Sequence, residues 1–161
     1  MSKILLVEDD ISLRDVYFAR LQADGYDLSV ASNGEEALAM AVKVRPDLIV
    51  LDVMMPRISG FDVLDMIRTT PDLAHTKVIM MTALGSTTDR ERGESLGVDK
   101  YLVKSQVTLE DVVLNIKKIL NTPAASTSEK IVGAPEQAKT DKAEGTPPAQ
   151  APEPPAPTPE A

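Results

Sequence analysis

Leu48-Ile49-Val50-Leu51-Asp52 sets four consecutive apolar residues ahead of one acid. The run is too short for a helix and its polarity does not alternate. Strands buried on both faces read this way, as they do inside parallel sheets. Ile4-Leu5-Leu6-Val7 and Val78-Ile79-Met80-Met81 repeat the pattern. Two weaker runs, Asp27-Leu28-Ser29-Val30-Ala31 and Lys100-Tyr101-Leu102-Val103, fit edge or near-edge strands.

Helical spacing fills the gaps. Leu13, Val16, Tyr17 and Leu21 predict one face of a first helix, with Ser12 as its cap and Asp15 three residues on. Asn33 caps a second helix, with Glu36 at its third position. Ala37, Leu38, Ala41 and Val42 form that helix's apolar stripe, and Pro46 stops it. Phe61, Leu64 and Ile67 mark a third helix. Thr108 caps a last one, with Leu109, Val112, Val113, Ile116 and Leu120 facing inward. Between them, Ser86 to Leu96 is polar nearly all round and carries Gly93, which costs about 1 kcal/mol relative to Ala inside a helix. It is the weakest helical segment.

Five β-α units in alternation predict an α/β fold. A five-stranded parallel sheet is covered by helices on both faces through right-handed crossovers. Ligands of such sheets bind beyond the carboxyl ends of the strands. Those ends carry Glu8, Asp9 and Asp10 after the first strand, Asp52 after the third, Thr82 after the fourth and Lys104 after the fifth. Each alone has an ordinary reading. Asp10 is equally a helix cap, Thr82 a strand former and Lys104 a solvated charge. Together they offer clustered carboxylates, a hydroxyl and an ammonium on one rim. Clustered carboxylates repel, and a proton or a cation relieves them. An all-oxygen set without His or Cys suits Mg²⁺. A carboxylate beside such an ion can attack a phosphoryl group, with Lys104 and Thr82 contacting the phosphoryl oxygens.

Composition divides the chain. Nine of the 12 prolines lie after Asn121 and all five aromatic residues lie before it. Residues 1–121 therefore hold the core-forming material, and residues 122–161 read as a Pro/Ala-rich tail, expected to be disordered with polyproline II character. The formal net charge is −8, with no basic patch, which argues against direct nucleic-acid binding. There is no cysteine, no signal-peptide pattern and no apolar run near the ~20 residues of a membrane span. A cytoplasmic location, away from the membrane, is expected.

Val7-Glu8-Asp9-Asp10, Leu51-Asp52-Val53-Met54-Met55-Pro56, Ser59-Gly60, Met81-Thr82-Ala83 and Tyr101-Leu102-Val103-Lys104 resemble the receiver domains of two-component response regulators. The resemblance spans roughly residues 2–121. It implies a doubly wound, flavodoxin-like (CheY-like) sheet of strand order 2-1-3-4-5, an order for which the family is itself a standard example. It also implies a phosphoprotein. Asp52 accepts a phosphoryl group from a histidine kinase or a histidine phosphotransfer protein. Asp9, Asp52 and the main-chain carbonyl of Met54 bind Mg²⁺, and Glu8 helps through water. Thr82 and Lys104 contact the phosphoryl group, and Thr82 with Tyr101 forms the switch. The target binds the face of the fourth helix, fifth strand and fifth helix. The expected molecule is a single-domain regulator, monomeric or weakly dimeric. It is no enzyme beyond its own phosphorylation and dephosphorylation. A phosphorelay intermediate and a non-phosphorylated binding module are the alternatives. A phosphate-binding flavin or nucleotide fold is disfavoured, since Glu8-Asp9-Asp10 would repel the phosphate. A dehalogenase-type phosphatase wants a second acid where Met54 stands.

Two departures matter. Family members place Pro, often after a cis bond, where Ser105 follows Lys104 here. A cis bond to Ser costs about 3–4 kcal/mol, so a trans bond and an altered loop are expected. Met54 and Leu84 are apolar at positions that tune loss of the phosphoryl group in the family. Apolar side chains cannot orient water by hydrogen bonds, so a long-lived phosphorylated state is expected.

Overall fold

The structure is a computed structural model, and it describes residues 1–122. The tail of residues 122–161, apart from Thr122, lies outside the described residues.

The chain runs β1 (Lys3–Val7), α1 (Ile11–Ala23), β2 (Asp27–Ala31), α2 (Gly34–Val44), β3 (Leu48–Asp52), α3 (Gly60–Thr69), β4 (Lys77–Thr82), α4 (Thr87–Ser95), β5 (Lys100–Val103), a short 3-10 turn (Lys104–Gln106) and α5 (Leu109–Leu120). All pairings are parallel, and the strand order is β2-β1-β3-β4-β5. The order reverses between β1 and β3, so the loops after these two strands part there and leave a crevice at their carboxyl ends.

The unbroken apolar runs follow from this topology. In β3, Ile49 and Leu51 join Leu5, Val7, Val78 and Met80 against Ala37 and Ala41 of α2 and Leu64 and Ile67 of α3. Leu48 and Val50 join Ile4, Leu6, Ile79 and Met81 against Tyr17 and Leu21 of α1 and Val112, Val113 and Ile116 of α5. Successive side chains leave a strand on opposite faces, so a strand covered on both sides needs apolar residues at every position.

The same parity sorts the strand ends. Glu8 and Asp52 continue the series of Ile4 and Leu48 toward α1 and α5. Thr82 continues Val78 and Met80 toward the other face, where Tyr101 also packs.

Some local expectations shift. Asp10, not Ser12, caps α1: its backbone is extended and its carboxylate accepts from Leu13 N at 3.1 Å. Ser12 is already inside the helix. Val16 and Val42 are exposed. Burial in α1 follows the four-residue spacing of Leu13, Tyr17 and Leu21, and Val16 falls beside that stripe. Val42 lies one step past the stripe of Ala37 and Ala41. The caps by Asn33 and Thr108 form as expected. The polar segment after Ser86 is helical, although Gly93 is its one buried residue. No cis peptide bond occurs among the described residues, so Lys104–Ser105 is trans and the chain leaves β5 through the 3-10 turn.

Candidate functional site

Asp52 ends the central strand β3, and its side chain is 4 % exposed. The residue after it is anchored by Val53 N donating to Met81 O at 2.9 Å. The chain then turns through Arg57, in the left-handed region at φ 70°, and comes back at Gly60. Gly60 N donates to Val53 O at 3.0 Å. Gly60 is pressed so closely on the strand end that a β-carbon there would overlap the Asp52 carbonyl oxygen and lie 2.8 Å from Val53 Cα. Ser59 and Asp62 close a capping box at this helix start. The first turn of α3 thus clamps the backbone that carries Asp52.

Lys104 bridges the acids. Its Nζ lies 2.8 Å from Glu8 Oε2 and 3.3 Å from Asp52 Oδ2. One carboxylate oxygen each of Glu8, Asp9 and Asp52 falls within 4.8 Å of the others. Glu8 and Asp52 are buried, and Asp9 is exposed. Met54 N donates to Asp52 Oδ1 at 3.2 Å. Thr82 is buried, and its hydroxyl oxygen accepts from Leu84 N at 3.2 Å.

The electrostatics follow from burial. Desolvation and then the charge of Glu8 push Asp52 up to about 7, against the opposing pull of Lys104 and the Met54 N–H. Burial pulls the Lys104 ammonium down, but Glu8 and Asp52 outweigh it and its pKa ends above the ordinary lysine value. Three carboxylates share one ammonium. That excess of acid, two carboxylates buried and one exposed and all of them oxygen donors, fits a hard divalent cation such as Mg²⁺.

Tyr101 turns inward from β5. It is 6 % exposed, and its hydroxyl is buried without a hydrogen-bond partner. Burial raises the phenol; Thr82 lies near enough to oppose that shift, yet not in hydrogen-bonding geometry. Met54 and Leu84 are exposed beside the site.

The fold therefore brings Glu8, Asp9, Asp52 and Lys104 together, with Thr82 and Tyr101 stacked on the opposite face of the same rim. Asp10 serves the α1 cap. Two features escape sequence reading: the ion pair between Glu8 and Lys104, 96 positions apart, and the clamp by Gly60. Only the Ser59-Gly60 pair ahead of an apolar helical pattern hints at the clamp.

Comparison with known proteins agrees with this fold. A family model described as the response regulator receiver domain matches residues 4–117. The probable transcriptional regulator ycf27 of Cyanophora paradoxa is 41% identical over 128 residues, 78% of this chain and 52% of that protein. The DNA-binding dual master transcriptional regulator RpaA of Synechocystis sp. is 36% identical over 120 residues, 74% of this chain and 49% of that protein. The chain thus spans about half the length of these curated relatives. Among solved structures, the chemotaxis protein CheY4 of Vibrio cholerae is 34% identical with a TM-score of 0.69, covering 74% of this chain and 98% of that one. Among the described residues no helix is long and apolar enough to cross a membrane.

Proposed function

The chain belongs to the response-regulator receiver family, and on that premise we propose that Asp52 accepts a phosphoryl group from a phosphohistidine of a histidine kinase or phosphotransfer protein. A carboxylate oxygen of Asp52 bonds to phosphorus as the P–N bond breaks. The imidazole leaves with the bonding electron pair, and Asp52 becomes an acyl phosphate. The observation that carries this reading is Lys104, whose ammonium stands 3.3 Å from Asp52 Oδ2, where phosphoryl oxygens would gather charge.

Other residues have definite parts. Asp9, Asp52 and the Met54 carbonyl would hold Mg²⁺, with Glu8 acting through a water. When bound, that ion supplies positive charge to the phosphoryl oxygens. The Thr82 hydroxyl accepts from Leu84 N and keeps its own hydrogen for a phosphoryl oxygen. As Lys104 turns to the phosphoryl group, its hold on Glu8 loosens, and Glu8 becomes available to a metal-bound water. Tyr101 occupies the inward place that a drawn-in Thr82 favours, and the α4-β5-α5 face carries the change to a protein target.

We assign this role to residues 1–121 as the receiver domain. The names of the curated relatives point to transcription as the process such a switch would serve.

Incubation with Mg²⁺ and acetyl phosphate, followed by intact mass, tests the chemistry. The wild type is expected to gain ~80 Da and Asp52→Asn nothing. A wild type that stays unmodified would refute the assignment.

A further inference from the structure

α4 is attached to the domain in an unusual way. Its sequence, Thr-Thr-Asp-Arg-Glu-Arg-Gly-Glu-Ser, has no apolar stripe, and Gly93 is its only buried residue. Two arginines supply further contacts: the Arg92 guanidinium lies 4.5 Å from the Phe61 ring centroid, and that of Arg90 lies 5.9 Å from the Tyr101 centroid.

The backbone does not require glycine at 93. Positive φ occurs among the described residues at Gly25, Arg45, Arg57 and Gly97, and Gly93 is not among them. An alanine would hold the helix better. What glycine supplies is room. A β-carbon at 93 would come 3.1 Å from Tyr101 Cδ2, 3.5 Å from Tyr101 Cε2 and 3.5 Å from Val98 Cγ1. The first distance is closer than an unstrained carbon contact. The ring is the partner able to give way. Its hydroxyl is buried with no hydrogen bond, an arrangement that disfavours the inward place.

We propose that Gly93 is the positioning residue that admits the Tyr101 ring to its inward place, so that α4 and the ring shift as one element. The proposal rests on the reading of Tyr101 as the switch aromatic. Gly93 fixes how far inward the ring can go, and Arg90 on the same helix follows the ring. A methyl at 93 therefore crowds the inward place and biases Tyr101 toward the outward one, without touching Asp52 or Lys104.

Photo-CIDNP, which excites only tyrosines whose hydroxyl meets solvent, reads the ring directly. In the unphosphorylated wild type Tyr101 is expected to be silent; in Gly93→Ala its signal should appear. A thermal double-mutant cycle separates this from simple damage. Gly93→Ala should raise Tm in a Tyr101→Ala background, where only the helix gain remains, and should lower it or raise it less when Tyr101 is present. A silent Tyr101 in Gly93→Ala, or an equal Tm change in both backgrounds, would overturn the proposal. Neither measurement uses a phosphodonor. If both succeed while phosphorylation of Asp52 leaves the wild-type ring unchanged, the switch reading of Tyr101 falls and the role of Gly93 in seating the ring stands.

Discussion

Asp52 is an acid buried at the expense of the fold. An ordinary aspartate loses its proton near 3.9, whereas Asp52 in the folded chain keeps its proton up to about 7. Between those values the native state binds a proton that the unfolded state has released. The stability tied to this group is thus fully present below about pH 4 and is lost as the pH rises to 7. Asp52→Asn removes that loss. Without Mg²⁺, the variant is expected to melt roughly 3–6 °C above the wild type at pH 8, with a much smaller difference at pH 4. Equal differences at both pH values, measured by calorimetry, would contradict the electrostatic account. Under the proposed function, two neighbours would bear on how long the phosphorylated state lasts. Met54 and Leu84 are exposed at the rim, and neither can orient an attacking water. Loss of phosphoryl from the purified, phosphorylated protein is expected to be slow; a lifetime of seconds would exclude this role for them. Polar replacements at both positions should shorten it.

At the scale of elements, the site depends on how α3 meets β3. Gly60 lets the helix start lie directly on the Asp52 backbone, with Ser59 and Asp62 capping it from the loop side. Gly60→Ala has no rotamer with which to escape, since the overlap is with main chain. The substitution must push α3 and the strand end apart, at an expected cost of about 1–3 kcal/mol. Chemical denaturation would show that cost, and the initial rate of phosphorylation by acetyl phosphate should fall with it, because Asp52 moves relative to Lys104. A variant with unchanged stability would show that the loop absorbs the methyl group. α4 is the opposite kind of element. Its arginines cover rings that belong to α3 and β5, so its position depends on those rings more than on an apolar stripe of its own. Helical spacing alone overstated α1 and α2 for a related reason. Val16 and Val42 sit next to apolar stripes, but whether a neighbour covers them is decided by the partner element.

Across the whole molecule, long-range contacts fasten the ends of the sheet. Arg68 at the end of α3 donates to Gly97 O, Ala74 O and Thr76 O and pairs with Asp99 at 3.0 Å. Lys77 at the start of β4 donates to Ile119 O and Thr122 O, satisfying carbonyls at the end of α5. Arg20 of α1 pairs with Glu110 of α5. At the opposite rim, where the acids gather, Lys104 ties the end of β5 to Glu8 and Asp52. Much of this architecture was legible in the chain. Unbroken apolar runs such as Leu48 to Leu51 demand two covering layers, and their alternation with helices fixes a parallel sheet. Because active groups of such sheets follow the strands, Glu8, Asp9, Asp52, Thr82 and Lys104 could be singled out by position. Their pairings could not. That Lys104 would grip Glu8 as well as Asp52, that Asp10 would turn away to cap α1, and that Gly60 and Gly93 serve as spaces are decided by which backbones come within contact distance. Sequence periodicity specifies the faces of each element, because burial acts residue by residue. The meeting of residues dozens of positions apart depends on how those faces pack, and only the tertiary structure sets that.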